Sequence, residues 1–277
     1  MSTNRELIFR YQKEDIPNAI ITFALEECGG LSYTELFQNL DQEVIDEQRV
    51  IDVLTRYQNG EMIEYLLNKS YFLSKPFYVD KNVLIPRQET EQLVLRTMAL
   101  IKEEFSNKPI TIADICTGSG VIGISLAEAF TKSQIYLTDI SKECLDVASR
   151  NSKEHGLKNT KYLRGDMIKP LIDHSLHVDA IVCNPPYISN VETIDKKTWE
   201  QEPHLALLAK PNTYFYEQLL KDYLKVVNDK YLLCFEIGED MEEALTKLVN
   251  KYCEGCSFFF EKDIYDKTRF LFIKGKK

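Results

Sequence analysis

Asn184-Pro185-Pro186-Tyr187 combines residue types suited to holding a planar amino group still while another group attacks it. The tetrapeptide follows an apolar run, Ala180-Ile181-Val182-Cys183, that predicts a buried strand. It would then stand just past the carboxyl end of that strand, where open α/β sheets bind their ligands. Consecutive prolines fix φ twice and remove two N–H donors, so the turn is stiff and its carbonyls are free to accept. The asparagine adds one amide oxygen and one NH2 at a fixed position. An asparagine that merely bonds its own backbone is the bland alternative, and the prolines argue against it.

A second cluster lies upstream. Ala113-Asp114-Ile115-Cys116-Thr117-Gly118-Ser119-Gly120 ends an apolar stretch and runs straight into Val121-Ile122-Gly123-Ile124. Gly118 and Gly120 permit a tight turn and a close approach to a ligand, and the helix start behind them presents free N–H groups. Counted from Cys116, the stretch meets the fingerprint G-x-G-x-x-G poorly, and a plain strand–helix connection is the alternative. Ile135-Tyr136-Leu137-Thr138-Asp139 ends in an acid about 20 residues after the glycines, where a carboxylate can accept from ribose hydroxyls. Gly165-Asp166-Met167 follows a third strand, which places Asp166 near an adenine. Expected cofactor contacts are Cys116, Thr117, Gly118, Ser119, Gly120, Asp139, Asp166, Met167 and Asn184.

This arrangement suits NAD or an adenosine-containing cofactor such as S-adenosyl-L-methionine. Hydride chemistry wants a general acid or base, and no His or Lys stands in these strand-end turns. Transfer from a sulfonium needs only orientation of the incoming nitrogen. The missing base is consistent with methyl transfer.

The elements that must position these residues are legible in the 277-residue chain. Residues 1–70 repeat apolar side chains at helical spacing: Ile20, Phe23 and Ala24, then Leu36, Phe37 and Leu40, then Val50, Val53, Leu54 and Tyr57. Gly29-Gly30 breaks a helix there, and Ser32 with Glu35 has capping-box spacing for the next. Residues 71–86 read as a hairpin linker, with Phe77–Val79 and Val83–Ile85 flanking Asp80-Lys81-Asn82. The remainder, 87–277, begins with a helix near 88–104. Strands near 110–116, 134–139, 160–164, 178–183 and 231–237 then alternate with helices near 120–130, 142–155, 213–228 and 240–252. A final strand pair falls near 257–262 and 269–274. The expected fold is α/β, a Rossmann-like, mostly parallel sheet with an antiparallel edge hairpin, plus a small N-terminal helical domain.

Composition narrows the class. Hydrophobic residues make up 44% and charged residues 28%, ordinary globular values. The polar start from Met1 to Asp15 and the lack of any run of about 18 apolar residues predict a soluble, cytoplasmic protein with no membrane association. The seven scattered cysteines suit a reducing compartment. Cys253-x-x-Cys256 has no second pair, and His174 and His177 lack a third ligand, so no metal site is expected. Net charge is −9, and residues 1–70 hold 13 acidic against 6 basic side chains. With no basic stripe, direct nucleic-acid binding is disfavoured.

Together these residues resemble the HemK/PrmC family, over nearly the whole chain. Ile85-Pro86-Arg87-Gln88-Glu89-Thr90-Glu91 is similar to that family's IPRPETE, Asp114 to Gly120 to its DLGTGSG, and residues 184–187 match its NPPY. Glu202-Pro203 with Ala206-Leu207, Glu236-Ile237-Gly238, and Gly60-Glu61 with Tyr65-Leu66-Leu67 also correspond. NPPY alone is shared with DNA amino-methyltransferases; its combination with the IPRxETE block is more specific. The resemblance implies transfer of a methyl group from S-adenosyl-L-methionine to the side-chain amide of a glutamine, in the GGQ motif of class 1 peptide chain release factors. It implies that the cofactor lies over Gly118 and Gly120 with its ribose on Asp139. Asn184 and Pro185 would accept the substrate's amide hydrogens, with Pro186 and Tyr187 as an apolar wall, and substrate recognition would lie in residues 1–70. Glutamine methylation of a ribosomal protein, amino-methylation of a nucleobase, and a catalytically dead cofactor-sensing protein are the alternatives. Cys116 stands where the family usually has Gly, Gln88 where it has Pro, and Leu208-Ala209-Lys210-Pro211 where it has a glycine pair.

Overall fold

The computed structural model describes residues 1–106 and 108–277, which form two compact units, Met1–Lys69 and Ser70–Lys277. The first unit is helical: α1 (Asn4–Gln12), α2 (Asn18–Gly29), α3 (Tyr33–Gln38), α4 (Glu47–Gln58) and α5 (Ile63–Leu67). Leu7, Ile21, Leu25, Leu36, Val50 and Leu54 fill its core. Reciprocal capping boxes start α1 (Thr3 with Glu6) and α3 (Ser32 with Glu35). Gly30 ends α2 in the left-handed region, at φ +65. The first helix falls in a stretch that reads as merely charged; Leu7 and Tyr11, four apart, give it one buried face.

The second unit opens with strands β1 (Ser70–Phe72) and β2 (Lys75–Phe77) and helix α6 (Gln88–Phe105). There follow β3 (Thr111–Ile115), α7 (Val121–Ala129), β4 (Gln134–Asp139), α8 (Lys142–Glu154), β5 (Thr160–Arg164), α9 (Lys169–Asp173) and β6 (Val178–Cys183). The chain ends with α10 (Lys196–Gln201), α11 (Tyr214–Asp222), β7 (Val227–Glu236), α12 (Glu242–Tyr252), β8 (Ser257–Lys262) and β9 (Thr268–Lys276). Seven strands form one sheet in the order β5-β4-β3-β6-β7-β9-β8. The first five are mutually parallel, and β9 pairs antiparallel with both β7 and β8. The order reverses between β3 and β6, which makes the gap at their carboxyl ends the expected ligand crevice. Separate apolar layers cover the two faces of the sheet, as its parallel strands require.

Two expectations need correction. The hairpin is not at 77–85 but at Ser70–Phe77, turned by Leu73 and Ser74 at φ +48 and +61. Neither is a residue that advertises a left-handed turn. Asp80-Lys81-Asn82 does turn, with Asn82 N–H donating to Asp80 Oδ1 at 2.9 Å, but its flanks do not pair as strands. The buried Asn151 side chain takes the place of a partner strand instead: its Oδ1 accepts from Tyr78 N–H at 2.7 Å and its Nδ2 donates to Tyr78 O at 3.0 Å. The expected helix over 213–228 is also too long. It stops at Asp222, a 3-10 turn spans Tyr223–Lys225, and β7 already begins at Val227, which is buried opposite Val178.

Replacing Ser32 by alanine removes the hydroxyl that accepts from Glu35 N–H at the start of α3. The expected loss is about 1 kcal/mol of local stability. Hydrogen exchange should show faster opening of α3 amides with those of β3 to β7 unchanged.

Candidate active site

Leu163, Thr138, Ile115, Cys183 and Phe235 stand in one row across the five parallel strands. The next residue along each chain therefore stands at the carboxyl edge of the sheet, at the same level. Four of these five, Asp139, Cys116, Asn184 and Glu236, line a single cavity of about 690 Å3. Thr117, Gly118, Ser119, Asp166, Met167, Pro185, Pro186 and Tyr187, all among the expected site residues, line it too. Gly120 does not. It turns the chain at φ +86, and a Cβ there would lie 3.2 Å from Ala148 Cα.

Asp114, fully buried at the end of β3, holds the glycine turn together. Its Oδ2 accepts from Thr117 Oγ1 at 2.5 Å and from Gly123 N–H at 2.8 Å, tying the turn to the first residues of α7. Burial pushes this carboxyl up to about 7 against those two donors. Counted from Gly118, the glycines at 118, 120 and 123 do have the G-x-G-x-x-G spacing, contrary to the count from Cys116. The third is there for packing: a Cβ on Gly123 would lie 2.9 Å from both Asp114 Oδ2 and Leu137 Cγ. Asn151 Nδ2 also donates to Ser119 O at 2.8 Å, so one buried amide fixes both the turn and the 78 segment. Cys116 adopts φ +59, a left-handed conformation that favours glycine and costs of order 1 kcal/mol for a side chain. Its Sγ rests 3.6 Å from Met167 Sδ.

The donor set suits an adenosine-containing cofactor. Asp139 Oδ2 accepts from Gly118 N–H at 3.0 Å and Oδ1 from Ser141 N–H at 2.9 Å. Each carboxylate oxygen keeps a second lone pair for a ribose hydroxyl. Burial raises this carboxyl while those N–H groups oppose the rise. A Cβ built on Gly118 meets no atom within 4 Å, which leaves the cavity open beside the turn. Asp166 accepts from Gln218 Nε2 at 3.1 Å, beside the apolar Met167.

At the opposite wall, Asn184 Nδ2 donates to Thr90 Oγ1 at 3.2 Å. Thr90 in turn donates to Glu236 Oε2 at 2.7 Å. The Tyr187 hydroxyl makes a long 3.5 Å contact with Glu236 Oε1, and its ring packs over Gly238. Thr90 and Glu236 are both buried, and neither was picked out as a functional residue by the sequence. Their only signal was membership of the IPRQETE and EIG blocks, 146 residues apart. The segment after Leu207 closes on the turn: Ile188 N–H donates to Leu207 O at 3.0 Å, and Ala209 N–H to Ile188 O at 2.9 Å. Arg87 Nη2 pairs with the buried Glu202 carboxylate at 2.6 Å, anchoring that loop to the segment before α6.

Comparisons with known proteins give a consistent result. The family described as methyltransferase small domain matches residues 92–201. The release factor glutamine methyltransferase of Mycoplasma mycoides subsp. mycoides is 37% identical over 258 residues, covering 91% of this chain and 90% of that protein. Its counterpart from Bacillus subtilis is 31% identical over 246 residues, covering 87% and 85%. The crystal structure of a methyltransferase from Pyrococcus furiosus, 16% identical, superposes with a TM-score of 0.54 over 82% of this chain and 99% of its own. That last likeness concerns the fold alone.

The Asp114 carboxyl binds its proton more tightly in the folded protein, near 7, than at its ordinary 3.8. Its contribution to stability is therefore complete below about pH 4 and is lost as pH rises through 7. Urea unfolding of wild type and Asp114→Asn at pH 4.5, 6 and 7.5 should show the wild type losing ground to the variant by about 3 kcal/mol across that window.

Proposed function

This chain belongs to the family of release factor glutamine methyltransferases, and we propose that its cavity joins methyl donor and glutamine amide across the β3–β6 crevice. It is an S-adenosyl-L-methionine-dependent methyltransferase that acts on the side-chain amide of a glutamine in peptide chain release factors. The relatives favour neither a ribosomal protein nor a nucleobase as substrate. Bound S-adenosyl-L-methionine supplies an electrophilic methyl on a sulfonium. Asp139 would hold its ribose, the turn 116–119 would lie along it, and Asp166 with Met167 would receive the adenine.

The rest falls to the chain's own residues. A glutamine amide is a poor nucleophile because its nitrogen lone pair is delocalised into the carbonyl. We assign Asn184 Oδ1 and the Pro185 carbonyl to the two amide hydrogens, which fixes the plane of the incoming nitrogen and aims its lone pair. Two acceptors also stabilise the positive charge that builds on that nitrogen in the transition state. Pro186 and Tyr187 exclude water from the amide. Tyr187 stays neutral, since burial lifts its hydroxyl far above the usual value. The proton is released after transfer, so no general base is required. The observation that carries this reading is the position of the NPPY turn beside the glycine turn, in one cavity at the topological switch.

Class 1 release factors are the partners this reading implies, and the cytoplasm, where they act, its location. Among the described residues, no helix is long and apolar enough to cross a membrane. The acidic helical unit, residues 1–69, is our candidate for substrate recognition.

Replacing Asn184 by alanine should leave cofactor binding nearly unchanged and cut turnover at least about a hundredfold, the scale of losing a preorganised polar contact. The measurement is label transfer from S-adenosyl-L-methionine to a purified bacterial release factor, with the modified residue located by mass mapping. Unchanged turnover, or label on a residue other than glutamine, would sink the assignment.

A further inference from the structure

We propose that Thr90 and Glu236 are positioning residues that set which end of the Asn184 amide faces the substrate, and that the proton on Glu236 switches it. The proposal rests on the role given to Asn184 above. An asparagine amide has two orientations of nearly equal shape that exchange its oxygen and its NH2. Only one offers an acceptor to an incoming NH2 group.

The hydrogen bonds at the back of the turn choose between them. A threonine hydroxyl has one proton, and that of Thr90 goes to Glu236 Oε2 at 2.7 Å. With that proton committed, Thr90 Oγ1 can meet Asn184 only as an acceptor. The Asn184 NH2 therefore turns toward it, at 3.2 Å, and leaves Oδ1 for the cavity. An ionised carboxylate has no proton to give, so the chain runs one way, from Asn184 through Thr90 to Glu236.

A protonated Glu236 can run it backwards. The carboxylic acid donates to Thr90 Oγ1, the Thr90 proton becomes free for Asn184 Oδ1, and the amide turns its NH2 to the substrate. Two NH2 groups then face each other, and the productive pose is lost. No bond other than hydrogen bonds is made or broken.

The surroundings place this switch within reach of neutral pH. Glu236 meets Thr90 from α6, Asn184 and Tyr187 from the turn after β6 and Tyr216 from α11, and it feels the charges of Glu89 on α6 and Arg269 on β9. Burial raises the carboxyl most and Glu89 adds to the rise; Thr90, Arg269 and Asn184 oppose it, and the balance stands at about 7. Arg269 is shared with Asp263, at 3.3 Å, so its charge is not spent on Glu236 alone. The Tyr216 hydroxyl donates to the Glu236 backbone carbonyl at 2.7 Å and holds the strand end in place.

The test is turnover with labelled S-adenosyl-L-methionine and a purified bacterial release factor, as a function of pH. Affinity for S-adenosylhomocysteine and thermal melting serve as controls for cofactor site and fold. Wild-type kcat should fall on the acid side of neutrality, by about tenfold per pH unit once the carboxyl is protonated. Glu236→Gln, which cannot titrate, should lose that acid limb. Thr90→Val should lower kcat at least about tenfold with cofactor affinity held within about threefold, and Thr90→Ser should restore it. In an Asn184→Ala background Thr90→Val should cause no further loss, because Thr90 acts through that amide. Wild-type kcat in Thr90→Val, an acid limb that survives in Glu236→Gln, or additive losses in the double variant would each overturn the proposal. Should Thr90→Val fail to fold, the pH profile of Glu236→Gln decides alone. If Asn184→Ala itself keeps full turnover, the role of the turn fails first and this proposal with it; if only the Thr90 and Glu236 variants are silent, the turn stands and the switch falls.

Discussion

The register of the parallel sheet is the constraint on which everything else depends. Because Leu163, Thr138, Ile115, Cys183 and Phe235 share one row, the chain reaches the carboxyl edge of the sheet at the same height on each strand. A one-residue slip in any pairing would turn a strand's side chains to the opposite face. Asp139 or Asn184 would then point into a packed layer and a core residue would point into the cavity. The buried side chains of both layers are thus what hold the site in alignment. Ile112, Leu137 and Val182 lie on one face, and Ile115, Ile181 and Leu233 on the other. The energetic cost of a slip is the exposure of several such side chains, each about 2 kcal/mol.

Buried polar groups complete what register begins. Asp114, Asn151, Thr90 and Glu236 are buried: Asp114 ties together the glycine turn, and the other three join segments distant in sequence. In a low-dielectric interior such groups are costly unless bonded, so each bond they make is strongly enforced. Asp114 Oδ1 has no partner among the described residues, and that lack helps burial push the carboxyl upward. A turn held this way can carry Cys116 at a positive φ without opening, since the Thr117 and Gly123 bonds to Asp114 fix the backbone on either side.

Much of this was legible in the sequence, for definite reasons. β3, β4 and β6 are short, largely apolar runs bounded by turn residues, and α8 and α12 are strongly amphipathic, so period alone located them. Prolines, glycines and strand-end acids marked the cavity because their chemistry is local. What was not legible depends on partners far along the chain. The hairpin was misplaced because Asn151, more than 70 residues away, satisfies the backbone of Tyr78 as a strand would. The overlong helix before β7 failed because pairing with Val178 recruits Val227 into the sheet, whatever its neighbours prefer. Thr90 and Glu236 carried no chemical signal of their own; a lone threonine and a lone glutamate are ordinary residues until 146 positions of chain are folded between them.

The NPPY turn shows where the two kinds of information meet. Its stiffness is local: the prolines fix φ and free the carbonyls wherever the turn is placed. Its polarity is not. An amide with its oxygen inward and one with its NH2 inward are spelled by the same four residues, yet they attract and repel the same substrate. What separates them is the direction of a hydrogen-bond chain, and that direction is set by the one group in it that can lack a proton entirely, the Glu236 carboxylate. Burial therefore acts on the site in two opposed ways. It strengthens every contact around Asn184, and it also raises the carboxyl toward neutrality, where the same contacts can be reversed. Arg269 and the Thr90 hydroxyl must keep Glu236 ionised against that pressure, so the orientation of the amide is maintained by charges and donors that never touch the substrate.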